Sequence, residues 1–272
     1  MNNIELSYKS IRGNVKYWYS DIGADKTLIF LHGLTADHRL FKKQTEYFAD
    51  KYNCLIWDAP AHGDSRPYTD FTYPGAAEDL LGIMDECGIE KAFLIGQSMG
   101  GYVAQSFMLR YPERVEAFVS IDSTPYGDKY YSKSDRWWLR QIEWMSKLYP
   151  EKLLKKFVAI QCTAQQRSRN NMMRMLECYA KAELCRLMGL GYAGFLDDSR
   201  EMTIECPVLL IVGKKDITGK VKAYNKMWED ECGYEIHWIK DAAHNSNDDQ
   251  PEIVNELIDQ FVRQLNGREH HE

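Results

Sequence analysis

Apolar residues recur along this chain with two different rhythms. Thr27-Leu28-Ile29-Phe30-Leu31, Asn53 to Trp57, 92–95, Val115 to Ile121 and 207–212 are short, nearly continuous apolar runs. Such runs fit strands covered on both faces, and 234–239 reads as one more strand. Between them, Phe41 to Tyr52, Ala76 to Cys87, Met99 to about Tyr111, 220–232 and 252–265 carry apolar residues at helical spacing. Gly88 and Gly233 close two of these helices. Residues 4–20 alternate and turn at Gly13-Asn14, which predicts an antiparallel hairpin.

Strands alternating with helices predict an α/β fold with a mostly parallel sheet flanked by helices on both faces. Residues 126–200 break the rhythm, because they hold no buried-strand signal. They carry helical stripes instead: Trp138, Ile142, Met145 and Tyr149 on one face, and Trp137, Trp144 and Leu148 on a neighbouring one. A Met-rich second helix is predicted over 164–188. The division that follows is a core of 1–125 and 201–272, interrupted by a helical cap at 126–200.

Composition narrows the class of protein. The chain of 272 residues is 44% hydrophobic and 27% charged, with 34 basic and 40 acidic residues and a net charge of −6. That balance offers no footprint for nucleic acid or an anionic membrane. The opening MNNIELSYKS lacks the apolar core of a signal peptide, and no apolar run reaches the ~18 residues of a membrane span. Seven scattered cysteines without C-x-x-C spacing predict neither a zinc site nor a disulfide framework. Reduced thiols in a cytoplasmic protein are the expectation.

The candidate chemistry starts at Gly96-Gln97-Ser98-Met99-Gly100-Gly101, where a strand runs directly into a helix. A turn that sharp strains its central residue and lifts the side chain above the sheet edge, with small residues needed on either side. The helix that follows presents free N–H groups to an anion formed at Ser98. A serine nucleophile needs a base. In a parallel sheet, residues at the carboxyl ends of strands converge on one crevice, and His32, His62 and His244 meet that test. His38 opens a helix, His237 alternates in a strand, and His270 and His271 sit in the polar tail. For the orienting carboxylate, Asp216 and Asp122 both follow strand ends, so the residues alone leave the choice open.

Together these segments resemble the α/β-hydrolase family. The likeness rests on His32-Gly33, on Trp57-Asp58-Ala59-Pro60-Ala61-His62-Gly63-Asp64-Ser65, on the Ser98 turn, on the order Ser, Asp, His, and on the run from His244 to Glu252. It implies Ser98 as nucleophile, His244 as base and Asp216 as its acid. It also implies the Leu34 and Met99 backbone N–H groups as an oxyanion hole, with no metal or organic cofactor. Two departures stand out: the acid loop Asp216-Ile217-Thr218-Gly219 lacks the proline often found soon after, and Ala243 precedes the histidine where many members have glycine. The first keeps Asp122 in play as the acid.

The function expected is a serine hydrolase acting on a small carboxylic ester or related acyl substrate. A carbon–carbon bond hydrolase or lyase on a small carboxylate would keep the same triad but need cationic groups, for which Arg136, Arg140, Arg167, Arg169, Arg174 and Arg186 are the candidates. An aminopeptidase would need acids to grip an amine, and the cap offers Glu143, Glu177 and Glu183. A receptor for small molecules would use the pocket without chemistry, and would be marked by loss of a triad member; none is lost. Trp138 and Met175 are candidates for the acyl-pocket wall, although a Met or aromatic stripe more often packs as core. No nucleic acid or membrane partner is expected.

Overall fold

The computed structural model describes residues 5–269, with side chains to residue 266. Eight strands form one sheet: β1 (Glu5–Ser10), β2 (Gly13–Ser20), β3 (Thr27–Leu31), β4 (Asn53–Trp57), β5 (Ala92–Gln97), β6 (Val115–Ile121), β7 (Val208–Gly213) and β8 (Ile236–Ile239). Their order is β1-β2-β4-β3-β5-β6-β7-β8. The β1–β2 and β2–β4 pairs are antiparallel, and every other pair is parallel. All residues of β3, β4 and β5 are buried, as unbroken apolar runs require when helices cover both faces.

Helices α1 (Lys42–Phe48), α2 (Tyr73–Glu86) and α3 (Met99–Met108) connect the first strands of the parallel region. Between β6 and β7 the chain makes helices only: α4 (Lys133–Leu139), α5 (Ile142–Lys147), α6 (Glu151–Cys162), α7 (Gln166–Leu176) and α8 (Lys181–Asp198), after one short 3-10 turn. The chain then adds α9 (Val221–Cys232), α10 (Ser246–Asp249) and α11 (Pro251–Glu269). Two apolar layers sandwich the sheet. Leu80, Val103 and Trp228 belong to one layer, and Phe48, Ile258 and Val262 to the other. A third cluster, including Leu154, Met172, Met175 and Leu184, packs the inserted helices on Ala36 and Leu40.

Some boundaries differ from those expected. Helix α2 starts at Tyr73 rather than Ala76, because Thr72 accepts from the Gly75 N–H at 3.1 Å and Pro74 is tolerated in a first turn. The single helix expected over 164–188 is two, α7 and α8, parted at 177–180. Tyr179 anchors that break: its hydroxyl accepts from the Gly63 N–H at 3.2 Å, and its carbonyl accepts from buried Lys155 at 2.7 Å. Helix α8 continues past Gly189 and Gly191, where a Cβ would run into the Glu143 and Leu34 side chains. Close packing accounts for glycine at these positions within the helix. His270 and His271 lie outside the described residues.

Candidate active site

Ser98 sits between β5 and α3 with φ 49° and ψ −113°, a conformation L-residues rarely adopt. Crowding around the turn explains the glycines. A Cβ at Gly100 would strike the Leu31 carbonyl, and one at Gly96 would lie 2.5 Å from the Gly101 nitrogen. The serine hydroxyl is therefore raised from the carboxyl edge of the sheet toward the loop after β8.

That loop carries His244, whose Nε2 lies 2.8 Å from Ser98 Oγ. Its Nδ1 lies 2.8 Å from Asp216 Oδ2, and Asp216 Oδ1 accepts the Thr218 N–H at 2.7 Å. The three candidates thus form one hydrogen-bonded chain of serine, imidazole and carboxylate. Burial disfavours the charged imidazole, but the charge and hydrogen bond of Asp216, with a smaller effect of Asp122, outweigh it and raise the His244 pKa above its ordinary value. The Leu34 and Met99 N–H groups bond no other group among the described residues. Leu34 and Met99 both line the cavity beside Ser98.

Asp122, the other candidate acid, is buried close by but holds no imidazole. Its oxygens accept the Gly213 N–H at 2.7 Å and the Ser246 N–H at 2.9 Å, tying the end of β7 to the histidine loop. Burial and the Asp216 charge push its pKa well above the usual carboxylate range. Two further clamps carried no signal in the sequence beyond being polar. Gln97 donates to the His244 carbonyl at 2.7 Å, and Asp249 accepts from Ala243, Ala164 and Gln165 N–H groups at 2.8–2.9 Å. His32 and His62 are fully buried; His32 Nε2 accepts the Ala59 N–H, and burial together with His32 holds His62 down to about 3. Both imidazoles hold loop backbone, and neither bonds Ser98, His244 or Asp216.

Two cavities of about 200 and 360 Å³ both reach Ser98 and His244. Both share Leu34, Ile142, Phe157, Gln161, Met188 and Tyr192 as walls, so the inserted helices roof the nucleophile. The larger is rich in aromatic side chains, with Tyr73, Tyr102, Tyr131, Phe195 and Tyr224. Trp138 and Met175 line neither cavity. Trp138 is 55% exposed with its ring packed edgewise on Trp137, and Met175 is wholly buried in the cluster among the inserted helices. The turn between α4 and α5 separates Trp138 from its expected stripe-mates Ile142, Met145 and Tyr149, which do line the smaller cavity.

None of the six candidate arginines lines either cavity. Arg136 and Arg140 pair with Asp128 and Asp197, while Arg167 donates to the Asp248 carbonyl. Glu143 and Glu183 are likewise paired, with Lys147 and Arg66. The cation in the larger cavity, Lys220, is held by Asp135 at 2.7 Å. One cluster has metal-ligating residue types, Asp37, His38 and Asp58. Asp58 accepts from His38 and Asp64, and Asp37 from Arg39, so their oxygens are already engaged.

Comparison with known proteins agrees with the fold. Residues 26–159 match the family model described as alpha/beta hydrolase fold. The chain is 23% identical to "Uncharacterized hydrolase YugF" of Bacillus subtilis, over 92% of this chain and 94% of that one. It is 33% identical to the mouse sn-1-specific diacylglycerol lipase ABHD11 over a shorter match, 40% of this chain and 37% of that one. Among solved structures, a thermophilic esterase from Thermogutta terrifontis superposes with a TM-score of 0.78 at 21% identity, covering 97% of this chain and 99% of that one. By matched sequence over residues 26–159 and by superposition, the chain has the α/β-hydrolase fold.

Proposed function

We propose that the protein is a serine hydrolase that cleaves small, neutral carboxylic esters through an acyl-enzyme. The observation that carries this is the unbroken chain Ser98–His244–Asp216, with both contacts at 2.8 Å, beside two unengaged backbone N–H groups. His244 Nε2 takes the Ser98 proton as Oγ attacks the ester carbonyl, and Asp216 fixes the tautomer and stabilises the imidazolium. The carbonyl oxygen, now an oxyanion, accepts from Leu34 and Met99, each such donor contributing ~3–4 kcal/mol in comparable sites. His244 returns the proton to the departing alcohol as the C–O bond breaks. Water then attacks the acyl-serine, again losing its proton to His244, and leaves the carboxylic acid and free Ser98.

The cavity walls support a neutral substrate. A carbon–carbon bond hydrolase acting on carboxylates would want a free cation beside Ser98, and the lining offers only Lys220, already paired. An aminopeptidase would want free acids, and Glu143, Glu177 and Glu183 stand outside both walls. What the inserted helices do offer is Gln161 and Tyr192, whose side chains bond no group among the described residues and face both cavities. Both donate and accept without charge, which suits an uncharged oxygen of the substrate.

A panel of neutral esters of graded chain length, set against diketone acids and aminoacyl amides, tests the reading. Turnover of neutral esters that disappears in Ser98→Ala is the expected result. Turnover of the diketone acids alone would move the protein to the carbon–carbon reading. Stoichiometric binding of esters without turnover would make it a receptor.

A further inference from the structure

The net charge of −6 conceals a local surface of opposite character. Residues 133–160, covering α4, α5 and most of α6, hold seven basic and three acidic residues. The same segment exposes Trp137, Trp138, Trp144, Leu148, Tyr149, Leu153, Phe157 and Ile160, each more than two-fifths accessible. Soluble surfaces scatter such side chains singly, and eight in so short a stretch call for a partner.

The arrangement is ordered. Leu153, Phe157 and Ile160 fall at helical spacing on one face of α6, and Trp144 of α5 lies one turn before Leu148, the cap that ends that helix. Tyr149 stacks on Phe157 with ring centroids 6.1 Å apart, joining the two helices. Lys152 and Lys156 are exposed at the same spacing beside this face and form no ion pair among the described residues. Glu143 pairs with Lys147, Glu151 with Lys155, Asp135 with Lys220, and Asp128 and Asp197 take Arg136 and Arg140, which leaves Lys133, Lys152 and Lys156 as the segment's unpaired cations among the described residues. Tyr149 and Phe157 also wall the cavity at Ser98, so the apolar face runs on into the candidate active site.

We infer that this face seats the protein on the surface of an anionic phospholipid bilayer, with the mouth of the Ser98 cavity turned toward the lipid. Tryptophan, leucine and phenylalanine flanked by lysine are the composition of a helix lying in a membrane interface. A second copy of the chain is the poorer occupant, because a two-fold contact would set the basic face against itself. The whole-chain charge predicted no membrane partner, since a sum over the surface cannot register one basic, apolar face on an acidic body.

Flotation with vesicles tests this, using the full chain as Ser98→Ala so that binding is read apart from any hydrolysis. The protein should float with vesicles of equal parts phosphatidylglycerol and phosphatidylcholine at low salt, and release as salt rises. It should stay behind with phosphatidylcholine alone. Lys152→Ala with Lys156→Ala should weaken binding roughly 30-fold, about fivefold for each lysine lost near the surface. Trp144→Ser with Leu148→Ser, residues outside both cavities, should abolish it, and the same pair made in the protein that keeps Ser98 should leave soluble-ester turnover and the circular-dichroism melt unchanged. Absence of binding to the anionic vesicles, equal binding to both kinds, or binding unaffected by both double variants overturns the inference. So does a dimer that Trp144→Ser with Leu148→Ser converts to monomer without any vesicle binding, which would assign the face to a second copy.

Discussion

At the scale of single residues, what distinguishes Asp216 from Asp122 is which donors their oxygens meet. Both follow a strand and both are buried, so the sequence left them equivalent. Asp216 meets the imidazole, whereas both oxygens of Asp122 are taken by backbone N–H groups of Gly213 and Ser246. Asp216→Asn should therefore lower kcat by on the order of 10⁴, as trapping the wrong tautomer does. The pH profile adds a second readout. His244 must be neutral to act as base, so kcat/KM should rise with pH through its raised pKa. Losing the Asp216 charge lowers that pKa and should carry the acid limb of the residual activity to lower pH. Asp122→Asn keeps one acceptor and turns an NH₂ toward a donor, so it should cost far less activity while destabilising the histidine loop. Stopped assays across pH on both variants check this. If Asp122→Asn is the crippled variant, the acid is misassigned.

Ser98, His244 and the choice of two aspartates were legible because strand-end residues and a glycine-flanked turn carry a local signature. Gln97 and Asp249 were not, because Gln97 meets a partner 147 residues away and Asp249, besides Ala243 close by, meets partners 84 and 85 residues away. No periodicity encodes a contact of that kind.

Among the elements, the strands were read closely, since an unbroken apolar run of about five residues has few other solutions. The inserted helices were read less well. Stripes suggested long helices, but the chain turns at 140–141 and 177–180, where tertiary anchors such as Tyr179 outweigh spacing. This is why Trp138 lies outside and Met175 lies within the helical cluster. We propose that 126–200 is a cap that selects substrates, and the effects of substitution then separate. Met145→Ala, in the wall of the smaller cavity, should reorder kcat/KM among acyl chain lengths by roughly 1–3 kcal/mol per methylene fitted. Met175→Ala should instead cost about 2–5 kcal/mol of stability, and Trp138→Ala should leave the chain-length profile unchanged. Thermal melts and a chain-length series read the two effects apart. A profile unmoved by Met145→Ala would reduce the insertion to a structural role.

At the scale of the whole molecule, the parallel part of the sheet brings distant residues to one edge. Ser98 follows β5, Asp216 follows β7 and His244 follows β8, and the sheet order sets those ends along one crevice under the inserted helices. No helix among the described residues is long and apolar enough to cross a membrane, so the membrane contact inferred above is one of surface, made by the roof of the site. On the proposed mechanism, this convergence makes Ser98 a covalent nucleophile. Intact-mass analysis after exposure to an organophosphonate probe tests it most directly. One adduct per chain is expected, mapped by peptide sequencing to Ser98, slowed by His244→Ala and absent in Ser98→Ala. An adduct that persists unchanged in Ser98→Ala, or none in the parent protein, would contradict it.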